Sequence, residues 1–443
     1  MKTKDMTSGN ELKLIFMFSL PLMFGNIFQQ LYIVCDTMIV SRQLGVNALA
    51  AIGSADWLNW MGLSMVTGLA QGFCIPVSHA FGRKNKDDVQ NSIFISVVCG
   101  FFSTFVLVAV LILCLKPALM ALQTPAAAFS MAYSYSKILM AGLVVTMFYN
   151  ILASILRSMG NSKIPLVAML IASLTNVGLD VLFVTQWNWG IEGAAIATVL
   201  AQCIAGLFCL FYLMKLKEWL PRHFVFDQSS YVEPLKLGLP LAFQNALISI
   251  GGMIVTRSVN QFSTSFLAGF TAMNKLYGLL EISAVSYGYA MITYTGQNYG
   301  AKKYDRIQTG VKKLGILSLG TSLFLMVLLY VCGPFLLSLF LDSSSQAAQE
   351  TMSYGLHFLR WLTFGMPILY ALHMYRSTIQ GLSDAFIPML SGVFELVMRV
   401  IGALILPIFF GKEGLYSVEV LAWIGACCIL VPTYYYKESR FPK

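Results

Sequence analysis

Charge is scarce in this chain: Asp, Glu, Lys and Arg make up 11% of its 443 residues, against 57% hydrophobic ones. A soluble globular domain carries roughly a quarter charged residues, so the composition excludes that class and leaves a polytopic membrane protein. Histidine is scarcer still, with four in all (His79, His223, His357 and His373), and neither an HExxH pair nor a carboxylate cluster accompanies them. Metalloenzyme chemistry has little to stand on. The nine cysteines all lie in apolar segments without CxxC or metal spacing, which makes them small core hydrophobes. The GxxxxGK[ST] phosphate loop is missing, which removes ATP as the expected energy source. The usual spacings of catalytic groups are missing too, so neither an enzyme nor a resident cofactor is expected.

What is abundant is long apolar sequence. A helix crossing the hydrocarbon core needs about 20 mostly apolar residues. Runs bounded by turn and charge signals predict twelve such helices, over 12–40, 53–78, 90–115, 131–157, 162–186, 192–215, 234–260, 266–297, 309–340, 350–376, 385–410 and 415–436. The first follows a Lys-bearing N-terminus as a signal peptide would, but it is too long and polar, and is read as a retained span. The formal charge of +9 invites a nucleic-acid reading, yet the placement of the basic residues is topological. Of the 29 Lys and Arg, only Arg42, Lys116 and Lys412 fall in loops on the side away from the termini, and Lys137, Arg257, Lys275, Arg360 and Arg399 fall inside spans. The remainder, Arg376 among them, lie on the side of the two termini, and basic loops stay cytoplasmic. Both termini are therefore expected inside, with the lipid bilayer and not nucleic acid as the macromolecular environment.

The polar stretch between the sixth and seventh spans, with Pro221, reads as a linker over 216–233, separating lobes 1–215 and 234–443. The two sides of it echo one another. Leu20-Pro21-Leu22 answers Leu239-Pro240-Leu241, and Asn26 answers Asn245. Phe81-Gly82 answers Tyr299-Gly300 before a basic loop, and Asn161 to Pro165 resembles Asp384 to Pro388. Six spans per half make a parallel repeat, with an axis along the membrane normal. Such bundles normally hold a substrate between them and rock, which favours a transporter over a channel.

Polar residues inside the spans carry the functional signal. In Leu20 to Val40, the groups Asn26, Gln29, Gln30, Asp36 and Thr37 recur at three- and four-residue steps and share roughly one face. A carboxylate deep in a membrane costs at least about 2.5 kcal/mol on the lenient insertion scale, so it faces a cavity or a partner. Burial of Asp36 for helix packing alone is the plainer alternative. Pro21 removes one backbone hydrogen bond and invites a bend about four turns before Asp36. In the repeat Asp36 is answered by Ile254 or Val255, neither ionisable, so the chemistry is specialised in the first lobe. Asn176 and Asp180 are one turn apart in the fifth span, and the sixth offers Thr198. Carboxylate, amide carbonyl and hydroxyl oxygens suit a hard monovalent cation or a proton. Two carboxylates brought together in low dielectric disfavour simultaneous ionisation, so the site can take up and release a proton. Spacing alone does not make helices one, five and six converge.

Weaker candidates accompany these. Tyr32, Met61, Met65 and Asn150 join Asn26 and Gln29 as residues of a promiscuous pocket, core packing being the plainer alternative for each. Asp56 and Asn59 extend that cleft or cap the second helix. In the second lobe Lys275 and Glu281, six apart, need partners elsewhere and line the cleft or do not. Glu395 and Arg399, four apart, neutralise one another in preference to a transport role.

The motifs SLPLMFGNIFQQLYIVCDTMIVSRQLG in the first helix, RSMGNSKIP before the fifth and NVGLD within it, with the repeated glycine-ended basic loops, resemble the multidrug and toxic compound extrusion (MATE) family over nearly the whole chain. The resemblance is nearest to the DinF-like prokaryotic branch. It implies an all-α polytopic protein of twelve helices in two six-helix lobes. The activity it implies is export of amphipathic or cationic small molecules in exchange for Na+ or H+. The family's acid in the first helix, Asn-x-x-x-Asp in the fifth and Thr in the sixth are matched by Asp36, Asn176, Asp180 and Thr198, which would bind the coupling ion, with Pro21 as hinge. It also implies a prokaryotic cytoplasmic membrane and is taken with a monomer. The rival within transport is a lipid-linked saccharide flippase, for which Arg257, Lys275, Arg360 and Arg399 would form a basic cavity.

Overall fold

The computed structural model describes residues 3–220, 228–338 and 346–442. Pro221 and Arg222 of the expected linker, the end of the ninth span at 339–340, and the terminal Lys2 and Lys443 lie outside the described residues. Among the described residues there is no strand, and twelve long helices account for nearly all of the chain. They are α1 (Glu11–Gly45), α2 (Asn47–Gly82), α3 (Lys86–Ala121), α4 (Ala126–Ser158), α5 (Lys163–Asp180), α6 (Gly190–Met214), α7 (Gln228–Val259), α8 (Thr264–Gly300), α9 (Tyr304–Ser338), α10 (Gln346–Gly381), α11 (Phe386–Phe410) and α12 (Val418–Glu438). Each expected span has one of them as its counterpart.

The helices overrun most of the expected spans by a few residues at one or both ends. Arg42, expected in a loop, sits in the last turn of α1, and the break comes at Gly45, whose φ of 77° suits a residue without a side chain. Pro21 lies inside α1, and Gly45 is the one non-helical position between Glu11 and Phe73. The repeat recurs in backbone geometry. Lys84 and Lys302, after the paired glycine helix ends, take φ of 60° and 57°. Gly160 and Ser383 take 80° and 63°, and the next residue of each caps a helix three positions on. Asn161 Oδ1 accepts from Ile164 N at 3.2 Å, and Asp384 Oδ1 from Ile387 N at 3.1 Å. The short side-chain oxygen satisfies a helix-end N–H that has no partner within the helix.

The chain divides into two compact units: Met1–Ser8, Leu20–Ala246 and Gly296–Lys302 form one, and Gly9–Ser19, Leu247–Thr295 and Lys303–Lys443 the other. In the first, α4 packs on α3 and α6, α5 packs on α6, and Gly25 of α1 lies against Leu166 of α5. Buried Met6 donates its N–H to Gln297 Oε1 at 2.8 Å, and Gln297 Nε2 donates to Ser158 O at 2.8 Å, which pins the end of α8. Backbones meet where α2 crosses α7: a side chain on Gly72 would stand 2.5 Å from Gly238 Cα. Neither backbone can yield cheaply, so Gly72→Ala is expected to cost about 1–3 kcal/mol. Thermal unfolding in detergent reads this as a lowered Tm, whereas Gly53→Ala on the same helix, with nothing within 4 Å, leaves Tm unchanged or raises it. In the second unit α10 packs on α9 and α12, and α11 on α12.

Candidate cation-binding site

In the first unit α1, α4, α5 and α6 bring polar side chains together. Asp36 is 9% exposed and Asp180 fully buried, and their carboxyl groups lie within hydrogen-bonding reach of one another. A bond between them requires a proton on one. Without that proton, Asp36 Oδ1 and both oxygens of Asp180 are buried with no donor. One turn before Asp180, Asn176 donates through Nδ2 to Thr198 Oγ1 at 3.3 Å, and its own Oδ1 has no donor either. Thr198 in turn donates to Ala194 O at 3.1 Å. Four buried acceptor oxygens on two helices thus lack donors, an arrangement that costs free energy unless a proton or a cation satisfies them. The donor set is all oxygen, which suits H+ or Na+ and not a transition metal. Among the described residues no group of three or more His, Cys, Asp and Glu comes together that would hold a metal ion.

The surroundings include two residues that sequence reasoning missed. Half-buried Tyr32, one turn before Asp36, has the side chains of Gln29 and Gln202 close by, and Gln202 Oε1 is a further buried oxygen with no donor. Gln202 is one turn after Thr198, the same four-residue step as Asn176 and Asp180, and that step is the signal that finds it. Tyr135 of α4 is buried close enough to Asp36, Asp56 and Asp180 to feel their charge; no spacing distinguishes it from Tyr133. Directly after Asp180 the helix widens into a π-turn over Val181–Gln186, with Trp187 N bonding Leu182 O at 2.9 Å. Such turns are often found at functional sites.

The remaining candidates are dispersed. Asn150 donates to Thr146 O of its own helix at 2.9 Å, and Asn26, Met61 and Met65 are half-buried in the first unit. In the second unit Lys275 is exposed, and Glu281 Oε1 lies 3.2 Å from His373 Nε2. The Glu395 and Arg399 pair is part of a longer chain of charge. Arg376 bonds Glu395, Arg399 Nη1 reaches Glu395 at 3.5 Å, and Arg399 Nη2 bonds Glu419 at 2.9 Å. Arg376, one of the charges expected on the cytoplasmic side, is buried within the protein, where it pairs with Glu395.

The family model MatE matches residues 21–182 and 240–405, covering the acidic site in the first half and its repeat in the second. The chain belongs to the MATE family. Among its relatives, "Probable multidrug resistance protein YpnP" of Bacillus subtilis (strain 168) is 30% identical over 381 residues, covering 83% of this chain and 82% of that protein. "Probable multidrug resistance protein YoeA" of the same organism is 26% identical over 422 residues, covering 92% and 89%. The solved outward-facing structure of a multidrug resistance MATE family transporter of the MOP superfamily has the same fold, with a TM-score of 0.87 over all of this chain and 99% of that one at 23% identity. The flippase alternative is not favoured. Of its four cations, Arg399 is neutralised by two glutamates, Arg360 lies 6.0 Å over the Tyr330 ring, and Arg257 and Lys275 are exposed.

Proposed function

We propose that this MATE chain is a secondary antiporter that exports amphipathic or cationic small molecules in exchange for H+ or Na+. The observation that carries this is the Asp36 and Asp180 pair, with Asn176 Oδ1 beside it: buried acceptor oxygens that need a cation, in a family whose relatives bear multidrug resistance names. The coupling ion binds at Asp36, Asn176, Asp180 and Thr198, and α1 bends near Pro21 in response. Tyr32, Gln29, Asn26, Asn150, Met61 and Met65 contribute to cargo binding in the first lobe, and Lys275 and Glu281 in the second. Lobes 1–215 and 234–443, joined by the linker 216–233, alternate access as a monomer in a prokaryotic cytoplasmic membrane with both termini inside. Ion and cargo oppose one another energetically, and by linkage the penalty each imposes on the other is equal.

The test is efflux of a lipophilic cationic dye from proteoliposomes. An imposed Na+ or pH gradient is expected to drive the dye against its own gradient, and the effective gradient names the ion. Transport indifferent to both gradients would overturn the proposal.

A further inference from the structure

The face of α9 that begins at Lys313 has no part in the cation site. Lys313, Ile316, Leu317, Gly320 and Phe324 recur at three- and four-residue steps, and with Leu12 of α1 they line a groove of about 550 Å³. The other polar wall residue, Thr321, donates its hydroxyl to Leu317 O at 2.8 Å, so the wall below Lys313 is apolar. At 1.5 Å per residue the groove runs about 16 Å down the helix, close to half of the roughly 30 Å hydrocarbon core. A cation therefore stands at the head of an apolar channel one leaflet deep.

Charge at that head is positive. Glu11 Oε1 and Oε2 each accept an ion pair, from Arg306 Nη1 and Lys313 Nζ, both at 2.8 Å, which leaves one positive charge over. Exposed Lys312, next to Lys313 in the sequence, adds to it. A cluster of this charge beside an apolar channel is complementary to an anionic lipid headgroup with its acyl chain.

We propose that this groove is a binding site for one anionic phospholipid, with its phosphate at Lys313 and Lys312 and an acyl chain lying along Leu317, Gly320 and Phe324. The site stands independently of the transport reading, and its test needs no transport. Native mass spectrometry of the full-length protein, given equal phosphatidylglycerol and phosphatidylcholine of identical chains, should show one retained lipid with phosphatidylglycerol preferred at least about five-fold. That is the change to which about 1 kcal/mol per basic residue near the surface corresponds. Lys312→Gln with Lys313→Gln should bring the preference to near parity, with Arg306 still holding Glu11. A first side-chain carbon on Gly320 would meet nothing within 4 Å, so Gly320→Phe fills the groove from its apolar wall and should weaken retention of both lipids alike. Equal retention of the two lipids by the unaltered protein, or retention unchanged in Gly320→Phe, would mean an unselective lipid shell only and overturn the proposal.

Discussion

Asp36→Asn is expected to abolish gradient-driven efflux while leaving the protein folded and, in thermal unfolding, slightly more stable. The amide keeps the size of the carboxyl but supplies a donor, which can satisfy one of the Asp180 oxygens that now have none. One negative charge then remains where two met. The repulsion that made proton or cation binding favourable is gone, and with it the exchange of charge that couples ion to cargo. Accumulation against a gradient should fall at least about ten-fold, the loss that removing about 1.4 kcal/mol of coupling produces. Downhill dye movement should persist, because the cargo still has its aromatic and methionine surfaces. Asp180→Asn should behave likewise, and the double variant no worse than either, since the two carboxyls act as a unit. The expected gain in Tm of a few degrees follows from removing an unsatisfied buried charge. A loss of transport accompanied by a falling Tm would point to a structural role for Asp36 instead, and gradient-driven efflux intact in both variants would sink the site assignment.

The fold was legible because membrane helices announce themselves by length, and the repeat by its punctuation. Asn161 and Asp384 show why: each is placed where a new helix needs its first N–H groups capped, so their likeness in the sequence is a likeness in backbone geometry. Asp36, Asn176, Asp180 and Thr198 stand out as candidates for a related reason, that an oxygen in an apolar run has few explanations. What the sequence withheld is the azimuth of one helix against another. Period along a helix places Asn176 and Asp180 on one face, yet only packing brings Asp36 to Asp180, and Tyr135 to both. Arg376 shows the same gap from the other side. Its position near the end of an expected span says nothing of its partner, and in the fold it is 7% exposed and bonded to a glutamate 19 residues on. Glu281 needed a distant partner, and His373 provides one.

Arg399→Met is expected to destabilise the protein by about 3–5 kcal/mol, the usual cost of stripping one partner from a buried ion pair. Arg376, Glu395, Arg399 and Glu419 alternate in sign along one chain of contacts, and the first three are buried. Arg399 holds the interior position, bonding Glu419 through both Nε and Nη2 and reaching Glu395 through Nη1. Its removal leaves Glu419 without its arginine and Glu395 with Arg376 alone. Arg376→Met, at the end of the chain, should cost less, because Glu395 keeps Arg399. The double variant Arg399→Met with Glu419→Gln removes the orphaned carboxylate with its cation, and should recover most of the loss, since an ion pair replaced whole by neutral groups is often close to neutral in stability. Thermal unfolding in detergent measures all three, and the cycle of Arg399 and Glu419 variants should show a coupling of at least about 1 kcal/mol. A double variant no more stable than Arg399→Met would mean that the arginine acts through packing of its aliphatic stem and not through charge. Transport in the double variant then separates support from coupling: alternating charges that only hold α10, α11 and α12 together can be neutralised in pairs with gradient-driven efflux retained, whereas the Asp36 and Asp180 pair cannot.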